Sequence, residues 1–319
     1  MTRRAVIRGT GRYLPERVVE NSWFEDKIET SDEWIRARTG IERRHFAAEG
    51  ETTSQMAVKA AQAALDRAGL AANDIDAVIV ATSTPDLTFP SVATMVQAGL
   101  GMTRGFAFDV QAVCAGFVFA LANADGLIRS GQAERVLVIG AETFSKLMDW
   151  EDRGTCVLFG DGAGAVVLEA AEGARGILST DLNSDGSYRD ILYVDGGVAT
   201  TGTAGKLRMQ GNILFRHAVE KLADTAHRAI DKAGLTPEQV DWLVPHQANA
   251  RIIAATAQRM HLPMEKVILT VADHGNTSAA SIPLALSVAD DAGQFSEGDV
   301  VVTEAIGGGL SWGAVVLRW

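Results

Sequence analysis

The stretch ALDRAGLAANDIDAVIV (Ala64–Val80) occurs a second time, with conservative changes, as AIDKAGLTPEQVDWLV (Ala229–Val244). Each copy begins with apolar residues at helical spacing, passes a glycine that is typical of a helix end, and finishes in a short apolar run. That order predicts a helix, a loop and then a buried strand in both places. The matching residues are Leu65, Ala68, Gly69, Leu70 and Asp76 in the first copy and Ile230, Ala233, Gly234, Leu235 and Asp241 in the second.

The repeat predicts that the chain consists of two similar halves. Each half also closes on the same apolar segment, GAVVL, at Gly164–Leu168 and at Gly313–Leu317. Alternating helices and strands predict an α/β fold in which helices cover mixed, largely buried sheets. We therefore expect an N-terminal half of residues 1–172 and a C-terminal half of residues 173–319, packed face to face.

Cys114, in the stretch AVCAGF, is the first candidate for chemistry. Gly105–Val110 (GFAFDV) has the composition of a short buried strand, and the apolar run Ala115–Ile128 predicts a buried helix that starts beside the cysteine. Free N–H groups and the helix dipole at such a start favour an anion, so we expect a thiol pKa below the usual ~8.5. Small neighbours leave room for an acyl group, which favours a nucleophile. The alternative is a small buried hydrophobic residue, the commoner role of a free cysteine.

Two residues of the second half complete a candidate catalytic set with Cys114. His246 follows the apolar strand Asp241–Pro245, and Asn276 lies in the turn DHGNTSAAS before a helix start. A thiol, an imidazole and an amide suit acyl transfer through a thioester and an enolate-like anion. Taken singly, the histidine can be structural and the asparagine a turn residue. The other histidines are His45, His217, His227, His261 and His274, and because none of the six has metal-ligand spacing we predict no metal site.

Two glycine-rich segments have different expected roles. Gly307–Gly309 follows the apolar strand Asp299–Ile306, and its N–H groups can point at an anion because glycine permits close backbone approach. A plain surface loop is the alternative, but the apolar sequence that follows returns to a buried strand. FGDGAGA (Phe159–Ala165) lacks the Lys-Ser/Thr pair of a phosphate loop, so we predict a turn that feeds a strand at Ala165–Glu169.

Composition predicts a soluble, cytoplasmic globular protein. The chain has 319 residues, 47% hydrophobic and 22% charged, as suits a large α/β protein. It has two cysteines, which fits a reducing compartment, and Cys156 is expected to be core. We find no apolar run of membrane-spanning length, and the start MTRRAVIRGTG enters a strand without a signal-peptide core. The net charge of −11 argues against nucleic acid as a partner.

Long motifs spread over nearly the whole chain carry a resemblance to a known family. They are TSDEWIRARTGI (Thr30–Ile41), FPS (Phe89–Ser91), the stretch around Cys114, DRGT (Asp152–Thr155), FGDGAGA (Phe159–Ala165), DGS (Asp185–Ser187), DWLVPHQANARII (Asp241–Ile253), HGNTSAAS (His274–Ser281) and GGGLSWG (Gly307–Gly313). The sequence resembles the β-ketoacyl-acyl-carrier-protein synthase III family, the initiating condensing enzymes of fatty-acid synthesis within the thiolase-like superfamily. Elongating relatives use two histidines, so Asn276 favours the initiating branch or the polyketide-type synthases.

The resemblance implies a fold and a reaction. The fold is a duplicated, five-layered αβαβα core. The reaction is the decarboxylative Claisen condensation of acetyl-CoA, or another short acyl-CoA, with malonyl-acyl-carrier protein, by a ping-pong mechanism through acyl-Cys114. His246 and Asn276 would bind the malonyl thioester carbonyl, and the N–H groups of Cys114 and Gly308 would form the oxyanion hole. No cofactor is implied, since the coenzyme A thioester is a substrate.

The resemblance also assigns the coenzyme A tunnel and its mouth. Trp34 and the Arg153 guanidinium are both planar and could hold the adenine between them, and Arg38 could meet a phosphate. Considered singly, an exposed arginine is more often a solvated surface residue. The full set is Thr30, Trp34, Arg38, Arg153, Phe215, Asn249 and Arg251.

Partners follow from the same resemblance. Phe89 would project into the acyl pocket of a second copy, where its bulk would favour a short primer, so a homodimer is implied. Ile306 is assigned to the acyl pocket as well, and it stands where relatives often carry Phe, which alters the apolar packing beside the malonyl site. Because this chain and acyl-carrier protein are both acidic, docking needs a local basic patch. The candidates for it are Arg208, Arg216, Arg251 and Arg259.

Other functions fit part of the pattern. Papain-like proteases also carry Cys, His and Asn in that order, but they place the cysteine in a CG[SA]C[WY] setting that is absent here. A non-catalytic acyl-CoA-binding protein on the same scaffold stays open, since a fold does not determine a function. A related condensing enzyme of a specialised polyketide-type pathway, with another primer or acceptor, also stays open.

Overall fold

The computed structural model describes residues 3–319, and Met1 and Thr2, the start of the predicted first strand, lie outside the described residues. Strands and helices alternate, as the sequence predicts. The strands are β1 (Arg3–Tyr13), β2 (Arg17–Glu20), β3 (Arg43–Phe46), β4 (Ala77–Ala81), β5 (Phe106–Val110), β6 (Arg135–Thr143), β7 (Asp161–Glu172), β8 (Gly176–Ser184), β9 (Leu192–Val194), β10 (Leu207–Met209), β11 (Trp242–Pro245), β12 (Val300–Gly307) and β13 (Ser311–Arg318). The helices are α1 (Ser22–Glu25), α2 (Asp32–Thr39), α3 (Thr53–Ala68), α4 (Val92–Gly99), α5 (Gly116–Arg129), α6 (Gly211–Lys232), α7 (Ala250–Arg259), α8 (Val271–His274) and α9 (Ser281–Asp291).

The repeated stretches form the same local structure. α3 begins at a capping box, in which Thr52 Oγ1 accepts a hydrogen bond from the Gln55 N–H and Gln55 Oε1 accepts one from the Thr52 N–H. It ends at Gly69, which has φ 68°, and the chain leaves α6 through Gly234, which has φ 71°. A short 3-10 turn then leads into β4 in the first half and β11 in the second. The predicted order of helix, glycine and strand is confirmed in both copies.

The two halves build sheets of matching topology. The first sheet has the strand order β1-β7-β6-β4-β5, and the second has the order β11-β12-β13-β8. β4 runs parallel to β6 as β11 runs parallel to β12, whereas β7 and β13 are antiparallel to both of their neighbours. The second sheet therefore repeats the first except for β5. The first sheet ends with Glu172 and the second begins at Gly176, on either side of the proposed boundary.

Helices form three layers around the two sheets. α5 and α9 pack against strands of both sheets and form the central layer. α3 and α4 cover the outer face of the first sheet, and α6, with α7 packed on it, covers the outer face of the second. These five layers confirm the predicted αβαβα fold class. α9 is buried along most of its length because it has a sheet on each side.

β5 is less buried than the sequence predicts. We expected a buried strand at Gly105–Val110, and β5 forms there, but it is half-exposed and Phe106 is 42% exposed. The physical reason is its place at the sheet edge, where β4 is its hydrogen-bonded neighbour within residues 3–319.

The prediction that FGDGAGA is a turn is wrong for most of the motif. β7 already begins at Asp161, so Gly162 and Gly164 lie inside the strand. Gly164 is where α9 crosses the sheet, since a Cβ added there would lie 2.5 Å from the backbone N of Leu284. The motif opens no helix, in agreement with the exclusion of a phosphate loop.

Cys114 and Cys156 are both buried, free thiols. Within residues 3–319, His, Cys, Asp and Glu side chains are nowhere grouped in threes that could hold a metal ion. Over the same residues, every helix is too short or too polar to cross a membrane.

Gly140 in β6 is the place where the 3-10 turn Ser278–Ala280 of the second half rests on the first sheet. A Cβ added at Gly140 would lie 2.2 Å from the carbonyl oxygen of Ala279. We predict that Gly140→Ala forces the turn away from the sheet and lowers the free energy of unfolding by ~1–3 kcal/mol, the usual cost of overpacking. The measurement is urea unfolding.

The matched control is Gly126→Ala on the exposed face of α5, where an added Cβ meets nothing within 4 Å. Helix propensity predicts a gain of up to ~1 kcal/mol for that variant. Equal destabilisation of the two variants would contradict the close contact at Gly140.

Candidate active site

Cys114, His246 and Asn276 line one cavity of about 540 Å³. Cys114 comes from the first half of the chain, and the other two residues come from the second half. All three are buried, with exposed fractions of 4%, 4% and 6%. The fold therefore brings a thiol, an imidazole and an amide from distant parts of the chain to the wall of a single cavity.

The surroundings of Cys114 differ from the sequence prediction in one respect. The residue lies in a 3-10 turn, Val113–Ala115, just before α5 begins at Gly116. Burial raises the pKa of its thiol to about 12, although a hydrogen bond with Ser278 acts in the opposite direction. The expectation of a lowered pKa is therefore wrong, because desolvation outweighs the N–H groups at the helix start.

The imidazole of His246 is held by the hydroxyl of Ser281. Its Nδ1 lies 2.6 Å from Ser281 Oγ, and the same oxygen accepts a hydrogen bond from the Gln247 N–H at 3.3 Å. In the neutral tautomer whose Nδ1 accepts from the serine hydroxyl, the ring proton is on Nε2. Burial lowers the pKa of the imidazole to about 3. His246 is thus a neutral donor at physiological pH.

Asn276 is oriented by its own turn and tied to the first half. Its Oδ1 accepts a hydrogen bond from the Ser278 N–H at 2.9 Å, so its Nδ2 group is left free to face the cavity. Its backbone N–H donates to the Leu158 carbonyl, and its carbonyl accepts from the Gly160 N–H, each at 2.9 Å. These two backbone bonds cross between the halves and hold Asn276 in the cavity wall.

The glycine turn at the end of β12 lies directly against the cysteine. A Cβ added at Gly307 would be 2.8 Å from the backbone N of Cys114 and 2.6 Å from the Ala112 carbonyl oxygen. Only glycine permits this approach. Gly308, the predicted oxyanion donor, packs its Cα side against the Leu192 carbonyl and is not part of the cavity lining.

Most of the residues assigned to coenzyme A line the same cavity. Arg153 and Arg38 each place the guanidinium carbon 4.7 Å from the centroid of the Trp34 ring. The other members of the set in the lining are Phe215, Asn249 and Arg251, with the Arg251 guanidinium 5.6 Å from the Phe215 ring. Thr30 is absent from the lining and precedes Ser31, the N-cap of the helix that carries Trp34.

The two residues assigned to the acyl pocket differ greatly in their exposure to solvent. Ile306 is buried in the cavity wall, at 6% exposed. Phe89 is 82% exposed, the largest value for any bulky apolar side chain in the described part of the chain. Within a single copy of the chain, Phe89 is thus outside the cavity.

The four arginines proposed for carrier-protein docking differ in their carboxylate partners and in their distance from the cavity. Arg208 lies between Asp149 and Asp195, at 2.6 and 2.7 Å. Arg259 has a longer contact with Asp224, at 3.6 Å. Arg216 and Arg251 are exposed, and only Arg251 reaches the cavity lining.

Glu304, which the sequence analysis did not select, also lines the cavity. It lies two residues before Ile306 on β12, so both side chains point to the same face of the sheet. Burial raises its pKa to about 8. Its Oε2 is buried, and nothing among residues 3–319 forms a hydrogen bond with it. A lone carboxylate in the apolar strand VVVTEAIG was the signal that could have found it.

Comparisons with known proteins identify the relatives of this chain. The family model described as 3-oxoacyl-[acyl-carrier-protein (ACP)] synthase III matches residues 108–186, and the model of its C-terminal part matches residues 230–319. The β-ketoacyl-[acyl-carrier-protein] synthase III of Paracoccus denitrificans (strain Pd 1222) is 81% identical, covering 99% of this chain and 100% of that protein. The synthase of the same name from Rhodobacter capsulatus is 76% identical, with both chains fully covered.

Solved structures agree with the sequence matches. The 3-oxoacyl-[acyl-carrier-protein] synthase III from Aquifex aeolicus VF5 has a TM-score of 0.95 and 48% identity, covering 99% of this chain and 100% of that one. The priming β-ketosynthase from the R1128 polyketide biosynthetic pathway has a TM-score of 0.94 and 34% identity, covering 99% and 97%. The fold and these matches define a thiolase-like condensing acyltransferase. Within that class, the chain belongs to the 3-oxoacyl-[acyl-carrier-protein] synthase III family.

We predict that Glu304→Gln stabilises the protein increasingly as pH rises. The native state keeps the Glu304 proton until about pH 8, whereas the unfolded chain loses it near its ordinary pKa of 4.5. Between those values the wild type loses stability with rising pH, and the neutral glutamine does not. The difference in free energy of unfolding should grow by ~1.4 kcal/mol per pH unit over that range.

Urea unfolding at about pH 5, 6.5 and 8 measures this difference. Exposed Glu49→Gln is the control and should show no such dependence on pH. A Glu304→Gln difference that is constant at all three pH values would contradict a buried, neutral carboxylic acid.

Proposed function

We propose that this chain condenses a short acyl group, taken from acetyl-CoA or a similar acyl-CoA, with malonyl-acyl-carrier protein and so initiates fatty-acid synthesis. The observation that carries the proposal is the convergence of Cys114, His246 and Asn276 in one buried cavity. A soft nucleophile and two neutral hydrogen-bond donors are what thioester exchange and enolate formation require. The shared name of the relatives at 81% and 76% identity supports the same reaction.

In the first half-reaction, the Cys114 sulfur attacks the acyl-CoA carbonyl, coenzyme A leaves and acyl-Cys114 forms. Negative charge develops on the carbonyl oxygen, and the backbone N–H groups of Cys114 and Gly308 are the proposed donors to it. The approach of Gly307 to within 2.8 Å of the Cys114 N, measured to an added Cβ, supports this pairing. This approach keeps the backbone at Gly307 and Gly308 next to the backbone at Cys114.

In the second half-reaction, malonyl-acyl-carrier protein enters and its thioester carbonyl accepts hydrogen bonds from His246 Nε2–H and Asn276 Nδ2. Loss of carbon dioxide then leaves an enolate whose charge these two donors stabilise. The enolate carbon attacks acyl-Cys114, and collapse of the tetrahedral intermediate releases the β-ketoacyl product. No cofactor enters this scheme, because the loss of carbon dioxide drives carbon–carbon bond formation.

For coenzyme A we propose the mouth of the cavity around Trp34, Arg38, Arg153 and Arg251, with Thr30 at its rim. The separation of 4.7 Å between the Arg153 guanidinium and the Trp34 ring leaves no space for a third planar group. Arg153 must therefore move aside when the adenine enters. Its one hydrogen bond, from Nη1 to the Glu29 carbonyl at 2.7 Å, lies at the exposed surface, so breaking it costs little free energy.

We propose a homodimer that covers β5 and Phe89. Among residues 3–319, no strand pairs with the outer edge of β5, and Phe106 and Phe89 expose apolar rings at 42% and 82%. A second copy pairing edge to edge would bury both features. In such a dimer, Phe89 would be supplied to the acyl pocket of the partner. This edge belongs to the first half of each chain, residues 1–172.

Carrier-protein docking is proposed at the cavity mouth, on Arg216, Arg251 and Arg259. Arg208 contributes less to this patch because Asp149 and Asp195 already neutralise it. The chain as a whole carries a net charge of −11, so attraction of an acidic partner has to be local and should weaken as salt rises. A reducing cytoplasm is the proposed location, since it keeps the Cys114 thiol free.

A polyketide-type priming synthase is the second candidate. The priming β-ketosynthase of the R1128 pathway matches with a TM-score of 0.94, so shape does not separate the two. Sequence identity does separate them, because it is 34% for the R1128 synthase and 81% for the Paracoccus denitrificans synthase.

Acylation of Cys114 tests the proposal. Incubation with acetyl-CoA alone should add one acetyl group per chain, which mass spectrometry of peptides should assign to Cys114. Cys114→Ala should abolish the label. The control is Cys156→Ala, which should keep it, because Cys156 is fully buried outside the cavity lining. Labelling of Cys156, or none of Cys114, would contradict the mechanism and would favour a non-catalytic binding protein.

Asn276→Ala separates the two half-reactions. Losing one donor to the enolate oxygen should slow carbon dioxide release from malonyl-acyl-carrier protein by at least ~10²-fold. Single-turnover acetylation of Cys114 should fall much less, because the backbone donors to that oxyanion remain. If acetylation and decarboxylation fall equally, the assignment of Asn276 to the malonyl carbonyl is wrong.

A further inference from the structure

The side chain of Gln247 uses all of its hydrogen-bonding capacity. Its Nε2 group donates to the carbonyl oxygens of Pro245 at 2.9 Å and Ile268 at 3.1 Å. Its Oε1 accepts from the N–H groups of Thr270 at 2.8 Å and Val271 at 3.1 Å. An amide has two donor protons and two acceptor lone pairs, so none is left over for a substrate. Gln247 is also fully buried and outside the cavity lining, so it does not touch the reacting atoms.

The need for this side chain begins with a proline in β11. Beside that strand, the Ile268 N–H donates to the Leu243 carbonyl at 2.9 Å, in a short parallel pairing of Leu243 with Val267. Two residues further on, the same edge of the strand would present the N–H of residue 245 to the Ile268 carbonyl. Pro245 has no N–H. The Gln247 amide donates to that carbonyl instead and continues the pairing past the end of the strand.

The same amide holds the start of α8. The first N–H groups of a helix have no partner within the helix, and Thr270, at the N-cap position, forms no side-chain cap bond. Gln247 Oε1 accepts from the N–H of Thr270 and from that of Val271, the first residue of α8. This short helix ends at His274, just before the turn that carries Asn276. The side chain of Gln247 therefore fixes the segment that leads to the Asn276 amide.

The backbone of Gln247 reaches the other side of the Asn276 turn. Its N–H donates to Ser281 Oγ at 3.3 Å, and Ser281 is the first residue of α9. The same hydroxyl lies 2.6 Å from His246 Nδ1. The His246 N–H donates to the Glu304 carbonyl at 2.8 Å, so the end of β11 is also held to β12. The contacts of Gln247 therefore join the His246 backbone to chain segments on both sides of Asn276.

We propose that Gln247 is a positioning residue for the second half-reaction and sets the distance between His246 Nε2 and Asn276 Nδ2. The inference rests on the proposed function, in which these two donors bind one malonyl thioester carbonyl. Two donors act on one oxygen only when both lie at hydrogen-bond distance from the same point, and a misplacement of about 1 Å can lower a rate by ~10²-fold. His246 and Asn276 belong to different segments, so their separation depends on contacts between those segments.

The position requires an amide of the length of glutamine. An ionised glutamate has no proton to donate, so its second oxygen would face the carbonyl oxygens of Pro245 and Ile268, which are acceptors as well. A methionine of similar length would leave the N–H groups of Thr270 and Val271 without that acceptor, at ~1–3 kcal/mol for each buried group. An asparagine keeps the amide but is one methylene group shorter, so it cannot reach all four partners.

The network lies in the second half of the chain and away from solvent. All four partners of the Gln247 side chain are buried, so water does not compete for these bonds and each keeps its strength. None of the hydrogen bonds of Gln247 reaches the first half, which carries Cys114. A change at Gln247 should therefore displace the two donors to the malonyl carbonyl and leave the nucleophile in place.

The test is Gln247→Glu, measured separately in the two half-reactions. Carbon dioxide release from malonyl-acyl-carrier protein should fall by ~10²-fold, whereas single-turnover acetylation of Cys114 should stay within about threefold of wild type. The loss should appear in kcat more than in the KM for malonyl-acyl-carrier protein, because the arginines proposed for docking are unchanged. The double variant with Asn276→Ala should be little slower than the slower single variant, since residues that act as one unit are not additive.

The matched control is Asn21→Asp, the same change from amide to acid in another buried network. Asn21 Nδ2 donates to Asp32 Oδ1 at 2.8 Å and to the Ile41 carbonyl at 2.7 Å, and its Oδ1 accepts from Arg44 at 2.8 Å. None of these partners belongs to the segments that hold His246 and Asn276. The control should lose stability in urea unfolding but keep the wild-type ratio of the two half-reaction rates at saturating substrate.

Three results would overturn the positioning role. They are carbon dioxide release at the wild-type rate in Gln247→Glu, an equal fall of both half-reactions, and losses that add fully in the double variant. If Gln247→Glu does not fold, Gln247→Asn decides, since it keeps a neutral amide and should give the same unequal loss. If Asn276→Ala by itself leaves carbon dioxide release unchanged, the proposed function fails, whatever the result at Gln247.

Discussion

The contact between Gly140 and the Ala279 carbonyl joins the two halves of the molecule, and the position of the site depends on it. The turn that makes this contact carries Ser278, and Asn276 lies just before it. Backbone hydrogen bonds from Asn276 to Leu158 and from Gly160 to Asn276 continue the same junction. The junction consists of backbone groups and of a glycine, which has no side chain. It therefore defines distances more rigidly than contacts between long side chains would.

Burial decides the charge of the ionisable side chains that are shut off from solvent around Cys114. It raises the pKa of Cys114 to about 12, that of Glu304 to about 8 and that of Glu142 to about 7, and it lowers that of His246 to about 3. Apart from the fraction of Glu142 that is ionised, these four side chains are therefore uncharged. Charge that develops during a reaction then meets fixed dipoles in a medium of low dielectric constant, where each donor has a large effect.

Local pattern was enough to select the three residues that the fold brings to one cavity. Cys114, His246 and Asn276 each stand at the end of a predicted strand or at a helix start, where short-range periodicity changes. Ser281, whose hydroxyl holds the His246 ring, gave no comparable signal, because a serine in a small-residue turn is common. The two residues are 35 positions apart in the chain, so their contact exists only after folding.

The sequence by itself determined the helix, glycine and strand order of the two halves, because spacing of apolar residues and left-handed glycines act over a few residues. It also determined which residue types could do chemistry. Only the tertiary structure decided which faces are covered: β5 became an exposed edge, and Gly162 and Gly164 became strand positions under α9. It decided protonation as well, since the thiol of Cys114 is a weak acid here through desolvation by residues that come from both halves. Burial is a sum over neighbours that the chain brings together only when it folds, which is why no local pattern could supply it.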